Sequence, residues 1–171
     1  QYKNISASVS SMTNLLDDVL MIGKTENITK LNIIEFDLSN SIASIIENIK
    51  FIDNGKHEFI IDMPDKLCIY SDKRLLDHVL GNVITNAVKY SERDTTVRIK
   101  VEEKDNETLE ISVIDQGIGI TEEDLDKIFE SFYRSYNAGN IEGTGLGMSI
   151  VKKSIESLQG SIEIESKLNV G

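Results

Sequence analysis

Apolar positions recur along this chain with two periods, and the switches between them mark its elements. Over residues 2–24 they fall at Ile5, Val9, Met12, Leu16 and Val19, with Leu15, Leu20 and Ile22 widening the stripe. Spacings that alternate four and three are the seam of a helix packing on another helix. Two uses fit: docking on its own domain, or one strand of an intermolecular helical bundle. A polar joint follows over residues 25–30. A short strand is expected over residues 32–36. Asp37 then caps a helix to about Asp53, with Leu38, Ile42, Ile45, Ile46 and Ile49 on its buried side. Phe59-Ile-Ile and Leu67-Cys-Ile-Tyr read as strands around the turn Met63-Pro64-Asp65. Ser71 or Asp72 caps a helix to about Tyr90. Val97, Ile99 and Val101, then Leu109, Ile111 and Val113, alternate on two strands joined near Asp105-Asn106, so a hairpin is expected. Thr121-x-x-Asp124 resembles a capping box opening a short helix. A further helix is expected over residues 145–158 and a strand over 161–165. With no repeats, this order predicts an α/β fold: a two-layer sandwich with a mixed sheet and helices on one face, preceded by an N-terminal helix.

The helix over residues 71–90 has two unlike faces. Leu76, Val79, Leu80, Val83 and Ala87 form one side and must meet the sheet. His78, Asn82, Asn86 and Lys89 stack on the other, at spacings of four, four and three. A solvated helix face favours Glu, Lys, Arg and Gln, because Asn and Gly lower helix propensity. Two asparagines one turn apart, with Gly81 beside them, therefore leave two readings open on this helix alone: an ordinary polar face, or a face with a task. A carboxamide oxygen is a hard, neutral ligand suited to Mg²⁺, and it leaves the ion's charge available to phosphate. Lys89 adds a cation one turn on. Three readings stay open for His78: metal ligand, phosphate contact, or no chemical role. His57 falls in a polar turn.

Charge narrows the ligand. The chain has 171 residues, enough for one cored domain with an appendage, and a net charge of −11 that argues against a general affinity for nucleic acid. A nucleotide is still compatible, since metal, backbone N–H groups and a few local cations suffice for its phosphates. The single Cys68 forms no internal disulfide, fits a reducing compartment and reads as small core filler. No apolar run is long enough to cross a bilayer. The abrupt start and end read as a piece of something longer.

Two glycine segments complete the chemistry. Asp115-Gln-Gly117-Ile-Gly119-Ile120 follows a hairpin strand, where a buried carboxylate can accept hydrogen bonds from an exocyclic amine such as adenine's. The same pattern also occurs as a simple turn. Phe129, Phe132 and Tyr133 are apolar anchors ahead of a polar loop after Arg134, of a length that is functional or disordered. It ends in Gly143-Thr144-Gly145-Leu146-Gly147 at a helix start, where free N–H groups make an anion site. Neither a Walker loop nor a dinucleotide fingerprint is present.

In this order the segments resemble the catalytic, ATP-binding domain of sensor histidine kinases, with the Bergerat fold. Residues 82–90 are similar to the N box, 115–120 to the first glycine box, 129–134 to the F box and 143–148 to the second glycine box. Leu15-Leu-Asp-Asp-Val-Leu with Gly23-Lys-Thr-Glu26 resembles the end of the second helix of the family's dimerisation and phosphoacceptor domain. The resemblance implies a boundary near residue 30: 1–30 as the end of the dimerisation helix with its linker, 31–171 as the catalytic domain. It implies ATP and Mg²⁺ as cofactors, with Asn86 the chief metal ligand and Asn82 beside it. Lys89 and Arg134 would contact phosphates, Tyr90 the adenine and Asp115 its amine. Gly117, Gly119, Ile120, Phe132 and Thr144 would line the nucleotide site. Gly143, Gly145, Leu146 and Gly147 would offer backbone N–H groups to phosphates. Asn82, Lys89 and Arg134 would carry the catalysis, and a lid over residues 132–143 would close on nucleotide.

The implied partners are the phosphoacceptor helical domain of the same protein, a cognate response regulator and a second copy of the parent. The implied location is cytoplasmic, with a membrane-bound parent left open. The phosphoacceptor box would lie upstream of Gln1, and the family continues past Asn169-Val-Gly171 into a final strand. Two other readings stay open: a non-catalytic nucleotide-sensing or dimerisation module, and a Bergerat-type ATPase. The gyrase and mismatch-repair type places a Glu four residues before the metal-binding Asn. Here that position is Asn82, a poor general base.

Overall fold

The computed structural model describes residues 30–105, 108–139, 141 and 143–171. The expected N-terminal helix, and the proposed domain at 1–30 but for Lys30, lie outside the described residues.

Strand β1 (Ile33–Asp37) leads directly into α1 (Leu38–Asp53), because Asp37 takes extended backbone angles and its carboxylate accepts the Ser39 N–H. Asn54 in the left-handed region ends this helix, donating its N–H to the Lys50 carbonyl. Next come β2 (Glu58–Asp62), β3 (Cys68–Asp72), α2 (Lys73–Tyr90), β4 (Thr96–Glu103) and β5 (Leu109–Ile114). A single-turn helix α3 (Glu122–Leu125), a 3₁₀ turn (Tyr136–Ala138) and α4 (Gly147–Ser157) complete the order.

β1 and β3 pair antiparallel as one ladder. The other sheet has the order β2-β4-β5, parallel between β2 and β4 and antiparallel between β4 and β5. It is therefore mixed, as expected. Alternation decides its faces. Val97, Ile99 and Val101 are buried. The residues between them carry ion pairs on the other face: Arg98 with Asp62 at 2.7 Å and Lys100 with Glu102 at 2.8 Å. Leu38, Ile42 and Ile46 of α1 and Leu76, Leu80, Ile84 and Ala87 of α2 pack onto the buried face. Each fully buried aliphatic side chain there is worth about 1.5–3 kcal/mol over exposure. A second, smaller cluster, Leu75 with Leu146 and Ile150, joins α2 to α4.

Several expectations need correction. Cys68 is exposed, because period-two alternation turns it outward between buried Leu67 and inward-leaning Ile69. Ile84 and Leu75, rather than Val83, complete the buried stripe of α2. Thr121 precedes α3 but makes no side-chain capping bond. Over residues 161–165 the side chains do alternate between exposed and half-buried, yet the segment joins no ladder among the described residues. His57 does fall in the turn between α1 and β2, and it is firmly held there. Its ring is buried against Asp53, with Nδ1 2.9 Å from Oδ1. Asp53 also accepts the N–H groups of Lys56 and His57, which closes the α1–β2 turn.

Candidate functional site

The buried stripe of α2 fixes its rotation and so turns Asn82, Asn86 and Lys89 to the opposite side, each half-buried in one cleft wall. Asn82 has a defined orientation. Its Nδ2 donates to the His78 carbonyl at 3.0 Å and lies 3.2 Å from the His78 ring Nδ1. With the amide nitrogen committed to residue 78, Oδ1 faces away, toward the start of α4: a Cβ added at Gly147 would sit 3.0 Å from it. Two turns on from Asn82, the Lys89 ammonium lies over the Tyr90 ring at 5.0 Å from its centroid. A Cβ at Gly143 would come within 2.7 Å of that ammonium. The two outer glycines of the second segment thus meet the two ends of the asparagine face. Any side chain there would press on the groups that line the cleft.

The first glycine segment is tied to the end of α2. Gly117 bridges to Ser91, and Ile118 donates to the Tyr90 carbonyl at 3.1 Å. A Cβ at Gly117 would lie 2.8 Å from that carbonyl oxygen, so only glycine allows the approach. The Asp115 Oδ1 accepts the Gly117 N–H at 2.8 Å, which holds the half-buried carboxylate at the cleft edge beside Tyr90. Gly119 has φ of +69° and no room for a Cβ, which would sit 2.3 Å from the Lys167 carbonyl.

The loop before Gly143 is anchored at its base. Phe132 donates its N–H to the Gly145 carbonyl at 2.9 Å, and Gly145 has φ of +73°. Asp124 of α3 receives two hydroxyls from this base, Tyr133 on Oδ1 at 2.5 Å and Ser135 on Oδ2. The Ser135 and Tyr133 bonds hold the Asp124 carboxyl below its usual range, and the same Asp124 bond pushes the Tyr133 phenol up. Between them Arg134 reaches the cleft, and its guanidinium donates to the Ile141 carbonyl.

One cleft therefore collects Asn82, Asn86, Lys89, Tyr90, Asp115, Gly119, Ile120, Arg134, Gly143, Thr144, Gly145 and Gly147. Three expected residues stand apart. Gly117 is buried behind Asp115 as a spacer. Phe132 is 72% exposed, so it holds the loop base through its backbone N–H and not through its ring. Leu146 buries its side chain completely against Leu75 and Ile150, and its N–H is taken by the Thr144 hydroxyl at 3.1 Å. The Asp124 clamp escaped sequence reading, because no spacing rule links a carboxylate to hydroxyls nine and eleven residues later.

The donor set bears on which metal would fit. Among the described residues no group of three or more His, Cys, Asp or Glu could hold an ion. The candidate ligands are instead two neutral carboxamides, one of them with its oxygen turned outward. Such a pair fits a hard cation that brings its remaining oxygen ligands with it, as Mg²⁺ does when bound to phosphates.

Residues 71–171 match the family of histidine kinase-, DNA gyrase B- and HSP90-like ATPases. The chain is 33% identical over 165 residues to the sensor histidine kinase WalK of Bacillus subtilis, covering 91% of this chain and 26% of WalK. It is 29% identical over 173 residues to the sensor-like histidine kinase SenX3 of Mycobacterium tuberculosis, covering 99% of this chain and 42% of SenX3. The chain thus spans well under half the length of either relative. Among solved structures, the Acinetobacter baumannii histidine kinase AdeS superposes with a TM-score of 0.80 at 25% identity, over 98% of this chain and 78% of that one. The motifs, the cleft and the match over more than half its length agree: this chain belongs to the family of histidine kinase-, DNA gyrase B- and HSP90-like ATPases.

Proposed function

We propose that this chain is the Mg-ATP-binding, phosphoryl-donating part of a sensor histidine kinase, whose acceptor histidine lies on a helical domain of the same parent. Residues 31–171 form the nucleotide domain in this reading, and residues 1–30 end the dimerisation helix and its linker. The observation that carries it is the meeting of the asparagine face of α2 with the second glycine segment. Asn82 Oδ1 abuts Gly147 while the Lys89 ammonium abuts Gly143. Metal ligands and cations are thereby gathered beside backbone that phosphate can approach closely.

Asn86 and Asn82 would hold Mg²⁺, which neutralises charge on the phosphate oxygens when bound. Lys89 and Arg134 contact the phosphates from two sides. Tyr90 stacks near the adenine, and Asp115 accepts its exocyclic amine. The N–H groups at the start of α4 point toward the phosphates; that of Leu146 must first leave the Thr144 hydroxyl. These residues bind and orient a donor, and none of them is placed as a general base. A Glu four residues before Asn86 would suit hydrolysis in place. Asn82 there favours transfer to a nucleophile activated elsewhere. That nucleophile, an imidazole, forms its N–P bond as the bond from the γ-phosphorus to the bridging oxygen breaks, releasing ADP. The response regulator and a second copy of the parent are the partners in this reading, and the domain works in the cytoplasm.

Calorimetric titration with a non-hydrolysable ATP analogue, with and without Mg²⁺, tests the binding half. Transfer of γ-labelled phosphate to a separately supplied phosphoacceptor domain of the parent tests the donor half. Metal-independent binding, or no transfer by the full-length parent, would reject the respective half.

A further inference from the structure

Arg134, which reaches the cleft, is exposed, long and rich in rotamers, and its guanidinium donates to the Ile141 carbonyl. Its direction is also set at its base, by its two neighbours. Burial alternates over residues 133–135: Tyr133 and Ser135 are half-buried and Arg134 between them is exposed. Tyr133 and Ser135 thus share one side, and Arg134 takes another. The shared side meets a single carboxylate, with one hydroxyl on each Asp124 oxygen. Asp124 in turn is fixed by α3, where its N–H donates to the Thr121 carbonyl and its own carbonyl accepts the Ile128 N–H. A charge-assisted bond on either side of one residue restrains that residue's backbone twist more than either bond alone.

We infer that Asp124 is a positioning residue: by clamping the hydroxyls of Tyr133 and Ser135 it turns Arg134 into the nucleotide cleft and holds the base of the loop that precedes Gly143. It touches no phosphate itself. The inference rests on the proposed reading of the cleft as a Mg-ATP site. It also assigns a use to the hydroxyl of Tyr133, whose ring alone would serve as an apolar anchor.

A double-mutant cycle in Mg-ATP-analogue affinity, measured by calorimetry on the whole chain, tests it. Asp124→Ala is expected to weaken binding by about three- to tenfold, the range of a lost hydrogen-bond pair. The same substitution placed on Arg134→Ala is expected to change affinity by less than about twofold, because the group it positions is gone. Tyr133→Phe removes one hydroxyl and leaves α3 intact. It should give a smaller loss that likewise vanishes on the Arg134→Ala background, and it decides the matter by itself should Asp124→Ala fail to fold. Equal losses on both backgrounds would show a general structural role and overturn the inference, as would no loss on the unsubstituted background. Failure of the underlying reading looks different: the unsubstituted chain would then bind no Mg-ATP analogue at all, and the inference would fall with it.

Discussion

Asn86 is the residue on which the proposed site depends most and the fold least. It is half-buried on the polar face of α2 and belongs to neither apolar cluster. Alanine is also the better helix former. Asn86→Ala should therefore weaken Mg-ATP binding by about tenfold or more, as expected for a lost ligand to a charged centre, while the thermal midpoint stays near the native value. Calorimetry and a circular-dichroism melt check both halves, and unchanged affinity in a folded variant refutes the metal assignment. Asp115→Asn is a finer probe. The amide oxygen can keep the bond from the Gly117 N–H, while the other oxygen becomes a donor. Its match to an exocyclic amine is lost, and selectivity for ATP over GTP should fall; selectivity equal to that of the native chain would count against the adenine role.

At the scale of elements, two carboxylates start the two long helices. Asp72 is 4% exposed, and its two oxygens accept the N–H groups of Leu75 and Asn32, so it caps α2 and ties down the chain entering β1. Asp72→Ala should cost about 1–2 kcal/mol in urea unfolding, at the upper end for a cap. Asp37 and Asp53 bracket α1. Burial raises both, but hydrogen bonds outweigh it: the N–H groups of Leu67 and Ser39 for Asp37, and the ring and N–H of His57 for Asp53. Both therefore lie below the ordinary value of 3.8. A depressed carboxylate stabilises the fold fully above its unfolded value, and that stability is lost as pH falls through the folded value. Acid unfolding should thus set in below about pH 4, and Asp53→Asn should be less stable at neutral pH with a shallower acid limb. A variant with an unchanged acid limb would show that the Asp53–His57 pair does not govern it.

For the molecule as a whole, the prediction concerns where the phosphoryl group goes. His57 is sealed against Asp53 with its ring 5% exposed, and His78 sits on α2, the helix of the proposed nucleotide site, bonded to Asn82. Neither can stand in line with a γ-phosphate bound on the same helix. The chain should bind ATP without becoming labelled. It should label a separately supplied phosphoacceptor domain of its parent only slowly, since the proximity given by a covalent link is missing. Incubation with γ-labelled ATP and acid- and alkali-stability tests decide this, and acid-labile label lost in His78→Ala would place the acceptor on α2.

Much of this was legible in one dimension because the periods are local. The alternation of Val97, Ile99 and Val101, the stripe of α2 and the caps at Asp37 and Asp72 depend on residues within a few positions of one another, and backbone geometry turns such spacing into faces directly. The asparagine face followed by elimination, because the opposite stripe had to meet the sheet. What lay beyond reach depends on distant parts of the chain. Whether a segment that alternates, such as 161–165, joins a ladder depends on a neighbour's edge, and Cys68 turned outward because the core built by α1 and α2 took its neighbours Leu67 and Ile69. Leu146 proved a core residue because α4 packs on α2, and Asp124 became a clamp because the chain folds back through Gly145. The chain's local order thus names the candidate residues for a nucleotide site, while long-range packing alone decides which side chains meet and which of them must hold the others in place.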